Sequence, residues 1–197
     1  MHQLILASQS SRRRDLLHQE AYRFTVDPVK LSEIIDKNLN CQENVEAIAK
    51  QKALAYMKQA KLLKGQGFLI LSADTMVEVE GQMLGKPKNS TEARYFLQQL
   101  SNKVHSVITG VFILDVDKET EISRSMRTQV WFRDLSEAEI SAYVASGEPF
   151  DKAGGYGIQG QGQSFVLKIE GSYSNVVGFP LELFRELETQ NGWQIRL

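Results

Sequence analysis

The sequence predicts an α/β fold with a mixed, twisted sheet flanked by helices. Two observations carry this. Short apolar runs alternate along the chain with longer segments whose apolar residues recur every three or four positions, so strands interleave with helices. In addition, the strand-like segments 106–116 and 125–132 are separated by the turn Asp117-Lys118-Glu119. That hairpin makes the sheet mixed rather than purely parallel.

The elements follow in order. Residues 4–7 read as a short buried strand, followed by a tight polar turn and a helix over about 11–20. A second short strand is expected at 22–26. Residues 29–42 are polar and irregular, with Ile34 and Ile35 as anchors. The longest helix is predicted over 43–64, where Val45, Ile48, Ala49, Leu54, Ala55 and Met57 fall at helical spacing and Gly65-Gln66-Gly67 stops it. A continuous apolar strand at 68–72, buried on both faces, is continued by 75–79; Glu80-Gly81 then turns into 82–84. Residues 91–100 form a helix capped by Ser90 or Asn89. The helix at 136–146 opens on the capping box Ser136-Glu137-Ala138-Glu139. A strand at 165–169 and a helix at 180–190 close the chain. With no internal repeat and no Pro- or Ser-rich linker, residues 1–197 read as one domain with two lobes around a cleft.

Composition narrows the function classes. Lys plus Arg (23) nearly balance Asp plus Glu (24), for a net charge of −1. A protein whose main task is to coat nucleic acid is therefore disfavoured, and no stable nucleic-acid partner is expected. Cys41 is the one cysteine, which excludes an intramolecular disulfide and a thiolate zinc site within the chain. His2, His18 and His105 show no metal-ligand spacing, and His105 reads as structural. No apolar run approaches the roughly 20 residues of a membrane span, and the 4–7 stretch is too short for a signal peptide. A cytoplasmic protein without a membrane partner is expected.

Four constellations carry chemistry. The first is Ser8-Gln9-Ser10-Ser11-Arg12-Arg13-Arg14, between a buried strand and a helix start. Arginine is unfavourable at the positive end of a helix dipole, so three of them point to an anion in front. A phosphate held by backbone amides, the Ser8 and Ser10 hydroxyls and guanidinium forks fits best; the bland alternative is a solvated charged face. The second is Ser72-Ala73-Asp74-Thr75 inside apolar sequence. A carboxylate there is costly unless paired, so Asp74 suggests a Mg²⁺ or Mn²⁺ ligand or a proton acceptor. The third is Lys86, between Gly85 and Pro87, a fixed cation suited to phosphate. The fourth is residues 151–162, where five glycines permit close backbone approach around Lys152, Tyr156 and Gln159. It is not a Walker A sequence.

Together these segments resemble the Maf family of nucleoside triphosphate pyrophosphatases, nearly end to end. The resemblance rests on Leu6-Ala7-Ser8-Gln9-Ser10-Ser11-Arg12-Arg13, Ala73-Asp74-Thr75-Met76-Val77, Leu84-Gly85-Lys86-Pro87, residues 105–111, residues 151–160 and Val177-Gly178-Phe179-Pro180. It implies hydrolysis of a nucleoside triphosphate to monophosphate and pyrophosphate with Mg²⁺ or Mn²⁺, on a two-lobed fold similar to inosine triphosphate pyrophosphatases. Ala73-Asp74-Thr75 and Gly157-Ile158-Gln159-Gly160 resemble the branch that acts on dTTP and UTP, rather than the sister branch that prefers 7-methyl-GTP. On that resemblance Asp74 is the proton acceptor, and Arg12, Thr75 and Gln159 set substrate choice. Arg12, Arg13 and Lys86, assisted by Lys52, would neutralise the triphosphate. Asp74 and Glu33 would hold the metal. A homodimer is a family-level expectation only. Ser11 stands where the family usually has proline, and Gly155 and Phe179 replace the usual Ala and Leu; none of these removes a charge. The competing readings are a 7-methyl-GTP pyrophosphatase, a nucleotide-binding regulator of cell division without turnover, and a nucleic-acid-binding protein.

Overall fold

The computed structural model describes residues 2–60, 62 and 64–196. The strands β1 (Gln3–Leu6), β2 (Phe24–Val26), β3 (Phe68–Val79), β4 (Gln82–Leu84), β5 (Val104–Asp115), β6 (Thr120–Phe132) and β7 (Val166–Glu170) form one sheet of order β2-β1-β3-β5-β6-β7, with β4 paired to β3. The helices are α1 (Ser11–Gln19), α2 (Cys41–Ala60), α3 (Ser90–Leu100), α4 (Glu137–Ala145), α5 (Tyr173–Val177) and α6 (Leu181–Asn191). The sheet is mixed: β1 runs parallel to β2 and β3, whereas β3–β4 and β6–β7 are antiparallel. No helix among the described residues is long and apolar enough to cross a membrane.

Contacts divide the chain into two compact units. The first comprises residues 1–74, 109–126 and 178–197; the second comprises 75–108 and 127–177. Strands β3, β5 and β6 contribute residues to both.

In the first unit, β1 is sandwiched in register between two parallel partners, Leu6 pairing with Val26 and with Leu71. A strand covered on both sides is apolar throughout, which is why Leu4, Ile5 and Leu6 are all buried. Helix α2 lays Ala49, Ala53 and Tyr56 against Ile5, Ile70 and Phe112. It starts two residues before the expected position. Asn40 Oδ1 accepts the Glu43 N–H (2.9 Å) while a Glu43 carboxylate oxygen accepts the Asn40 N–H (2.8 Å), a reciprocal cap invisible to apolar spacing. It ends at Ala60; residues 62 and 64 are not helical, and the expected helical positions 61 and 63 lie outside the described residues. Gly110 lies against α2, and a Cβ there would sit 2.6 Å from the Val45 carbonyl carbon. Backbone cannot yield as a side chain can. Gly110→Ala is therefore expected to lower stability by about 3 kcal/mol, measured as the urea unfolding midpoint.

The segment before α2 differs from expectation. Ile34 (74 % exposed) and Ile35 (37 %) do not anchor it. Val29 is buried instead, and the buried Asn44 side chain receives the Asp36 N–H (2.8 Å) and donates to the Asp36 and Leu39 carbonyls (2.9 and 3.1 Å). Polar clamping of backbone replaces apolar anchoring, so hydropathy points to the wrong residues.

In the second unit, Val77, Leu84, Phe96, Leu97, Val107, Val130, Tyr143 and Phe165 share one core. The expected caps are present: Asn89 Oδ1 accepts the Glu92 N–H at 2.9 Å, and Ser136 with Glu139 forms the full capping box. The expected 68–72 strand and its continuation at 75–79 form one strand, β3, which runs unbroken through Ala73 and Asp74. The short α5 has no counterpart among the expectations, since five residues carry too little periodicity to read.

His105 is buried between Phe132 and Tyr156, its Nε2 2.8 Å from the Tyr156 hydroxyl. Burial pushes its pKa down to about 3. Between that value and the ordinary 6.5, the unfolded chain binds a proton that the folded chain refuses, so stability is full above about 6.5 and falls as pH drops. From pH 7 to pH 5 this residue should cost about 2 kcal/mol. In urea titrations, His105→Phe should lose less stability than the parent over that interval.

Candidate active site

The site grows from the junction of β1 with α1. Ala7 N–H donates to the Leu71 carbonyl at 2.8 Å, extending the parallel ladder one residue past β1 and bringing the 8–10 turn level with Ala73 on β3. Ser10 caps α1, its Oγ accepting the Arg13 N–H at 3.4 Å; Ser8 Oγ accepts the Ser10 N–H at 3.3 Å. In these bonds both hydroxyl oxygens accept, which is compatible with O–H donation to a phosphate.

Arg13 is turned inward. Its Nη1 donates to Ser8 Oγ (3.1 Å) and to the Ala73 carbonyl (2.8 Å), and its Nε donates to the Gly178 carbonyl (2.8 Å). Three of its bonds tie the turn before α1, β3 and the segment between α5 and α6 together, beside the phosphate contact expected of it. Burial lowers its pKa, opposed by the negative charges of Asp74 and Glu33. Arg12 stays half-buried, and its charge adds to the lowering at Arg13.

Lys52 forms the centre of the cluster. Its ammonium, reaching from the third turn of α2, lies 2.7 Å from Asp74 Oδ1 and 2.7 Å from Glu33 Oε1, and 3.4 Å from the Ala73 carbonyl. Lys52 and Asp74 are both well buried, while Glu33 is one-third exposed. Desolvation raises the Asp74 carboxyl above the usual carboxylate range; the Lys52 charge opposes this and Glu33 adds to it. Ser72, wholly buried, donates its hydroxyl to the Ala49 carbonyl at 2.6 Å and so fixes β3 against α2.

Two carboxylates facing one cationic centre are a donor set that a hard divalent ion accepts, with further oxygens from phosphate and water. No group of three His, Cys, Asp or Glu side chains suited to a metal occurs among the described residues.

Thr75 follows Asp74 on β3 and is partly buried. Lys86, Lys152 and Gln159 belong to the second unit. Lys86 and Gln159 are exposed. The Lys152 ammonium donates to the Glu148 carbonyl (2.8 Å) and to the Asp151 carboxylate (2.5 Å) in its own loop. Two positions named only within motifs carry roles that sequence did not assign: Ser72 and the Gly178 carbonyl. A serine in an apolar strand was the available sign of the first. The second is a backbone atom, for which the 177–180 segment offered only its place in a motif.

The Maf-like protein family model matches residues 3–190. The chain belongs to the Maf family. A protein of Bdellovibrio bacteriovorus named dTTP/UTP pyrophosphatase is 44 % identical over 93 % of this chain and 96 % of its own length. A Bacillus pumilus protein of the same name is 43 % identical over 96 % of this chain and 97 % of its own. A Moorella thermoacetica protein, also so named, reaches 45 % over 95 % and 94 %. Among solved structures, the Staphylococcus aureus Ham1 protein superposes with a TM-score of 0.52 over 96 % of this chain and 99 % of its own, at 12 % identity. That likeness shows that this Maf protein shares the Ham1 fold.

Proposed function

We propose that this Maf protein hydrolyses dTTP and UTP, and modified pyrimidine triphosphates of the same shape, to the monophosphate and pyrophosphate. The observation that carries the chemistry is the buried Asp74 carboxyl, held at 2.7 Å by Lys52 with Glu33 on the same ammonium. A base matched to neutral pH needs a pKa raised by burial yet a partner that keeps it ionised, and Asp74 has both. The pyrimidine substrate is supported by relatives over 40 % identical that carry the name dTTP/UTP pyrophosphatase.

In the reaction, Asp74 takes a proton from water as the water oxygen bonds to the α-phosphorus. The bond from that phosphorus to the bridging oxygen breaks, and the electron pair leaves with pyrophosphate. Arg12 and Lys86 neutralise the triphosphate, with the Ser8 and Ser10 hydroxyls donating to its oxygens. Arg13 positions Ser8 and the Ala73 carbonyl beside Asp74. A Mg²⁺ or Mn²⁺ ion would be held by Asp74 and Glu33 together with substrate oxygens, supplying positive charge to the leaving phosphates. Thr75 and the donor–acceptor amide of Gln159 match the imide edge of thymine or uracil.

The test is a panel of dTTP, UTP, CTP, GTP and 7-methyl-GTP with Mg²⁺ or Mn²⁺, quantifying monophosphate and pyrophosphate. Turnover confined to dTTP and UTP is the expected result. Turnover of 7-methyl-GTP instead would overturn the reading of Thr75 and Gln159, and tight dTTP binding without turnover would leave a regulator rather than an enzyme.

A further inference from the structure

The second unit contains a carboxylate that the reaction above does not use. Glu148 opens the single turn Glu148–Asp151 that follows α4. Its Oε1 accepts the Tyr143 hydroxyl (2.9 Å) and the Gly162 N–H (3.4 Å), and its Oε2 accepts the Gln161 N–H (3.0 Å). The Tyr143 oxygen in turn accepts the Gly157 N–H at 3.1 Å. Hydrogen bonds to an ionised acceptor are short and about twice as strong as neutral ones, so a carboxylate that gathers backbone amides is an effective clamp.

The clamp closes on both ends of one segment. Gly157 is tied upstream, Gln161 and Gly162 downstream, and the exposed Gln159 lies between them. The glycines record how close the clamp is. A Cβ on Gly160 would lie 2.6 Å from the Glu148 carboxyl carbon, and one on Gly157 would lie 2.6 Å from Lys152 Cε. Lys152 closes the same loop through its bonds to the Glu148 carbonyl and Asp151. Without these ties, residues 157–162 would be a glycine-rich stretch whose entropy opposes any fixed orientation of Gln159.

We propose that Glu148 and Tyr143 are positioning residues for base selection: by clamping both ends of the 157–162 segment they pre-orient Gln159 toward the pyrimidine. This rests on the reading of Gln159 as the base reader. Because the bonds of the clamp go to Gly157, Gln161 and Gly162 and not to Asp74, its loss falls on binding and discrimination rather than on the chemical step.

The experiment uses the full chain and measures kcat and KM for dTTP, UTP and dCTP in the parent, Glu148→Ala, Tyr143→Phe, Gln159→Ala and Glu148→Ala/Gln159→Ala. Glu148→Ala is expected to raise KM for dTTP and UTP about tenfold with kcat changed less than about threefold, and to shrink the preference for dTTP over dCTP. In the Gln159→Ala background the same change should add little, because the side chain it orients is already gone. Tyr143→Phe, which deletes one oxygen, should act in the same direction by about threefold and decides the matter should Glu148→Ala fail to fold. An equal loss on every nucleotide, or full additivity with Gln159→Ala, would overturn the proposal and leave Glu148 a structural residue. A parent protein inert on dTTP and UTP would instead overturn the functional reading, and this inference with it.

Discussion

Asp74→Asn is expected to cut pyrophosphate release from dTTP and UTP by about 1,000-fold, the scale set by loss of a positioned general base. The amide keeps the shape of the carboxyl and can still accept from Lys52 at Oδ1, so the change removes the proton acceptor with little rearrangement. The variant should also separate activity from stability. Asp74 has a folded pKa raised mainly by burial, so its contribution to stability is fully present below the unfolded carboxylate value and is lost as pH rises through the folded one. A neutral amide never incurs that loss. Asp74→Asn should therefore be at least as stable as the parent at pH 8, with the difference narrowing as pH is lowered toward the unfolded carboxyl range. Pyrophosphate assays beside urea titrations at several pH values check both halves. A variant that is inactive because it is unfolded would defeat the assignment of Asp74 as base.

Lys52→Ala is the second large effect. The ammonium is the shared partner of Asp74 and Glu33, and its pair with Asp74 is buried. Removing it leaves Asp74 and Glu33 without the ammonium they share, the charge of Arg13 remaining nearby, at a cost of about 3 kcal/mol in stability when both are ionised. Asp74 can shed part of that cost by taking a proton, because Lys52 is the largest influence holding its pKa down. The acid limb of the kcat/KM profile should then move to higher pH, and activity at pH 7 should fall about 100-fold. Lys52→Arg retains the charge and should restore the position of the limb more than it restores kcat. An unmoved acid limb in Lys52→Ala would show that Asp74 is not the titrating base.

Much of the fold was legible because the determinants are local. The continuous apolar runs of β1 and β3, the periodicity of α3 and the Ser136–Glu139 box each sit within a few residues. The misreadings have the opposite character. Ile34 and Ile35 looked like anchors on hydropathy, whereas their segment is held by Val29 and by Asn44, a polar residue on the following helix. The start of α2 shifted because a reciprocal Asn40–Glu43 cap, not an apolar residue, ends the preceding loop.

At the site the same division holds. Sequence pointed to the polar groups: Arg12 and Arg13 after a buried strand, Asp74 in an apolar one, and Gln159 among glycines. Their chemical type and the segments that carry them were settled by residue identity and spacing. What each group faces was decided only in the tertiary structure. Arg13 and Lys152 have long flexible stems that reach several ångströms in any direction, and their ammonium or guanidinium groups go to backbone carbonyls and a neighbouring carboxylate. Lys52, Glu33 and Asp74 lie far apart in the chain; the packing of α2 against β3 brings Asp74 to the Lys52 ammonium, and the loop before α2 brings Glu33. Glu148 went unnoticed for the same reason: a carboxylate that binds backbone amides more than ten residues away leaves no local pattern to read.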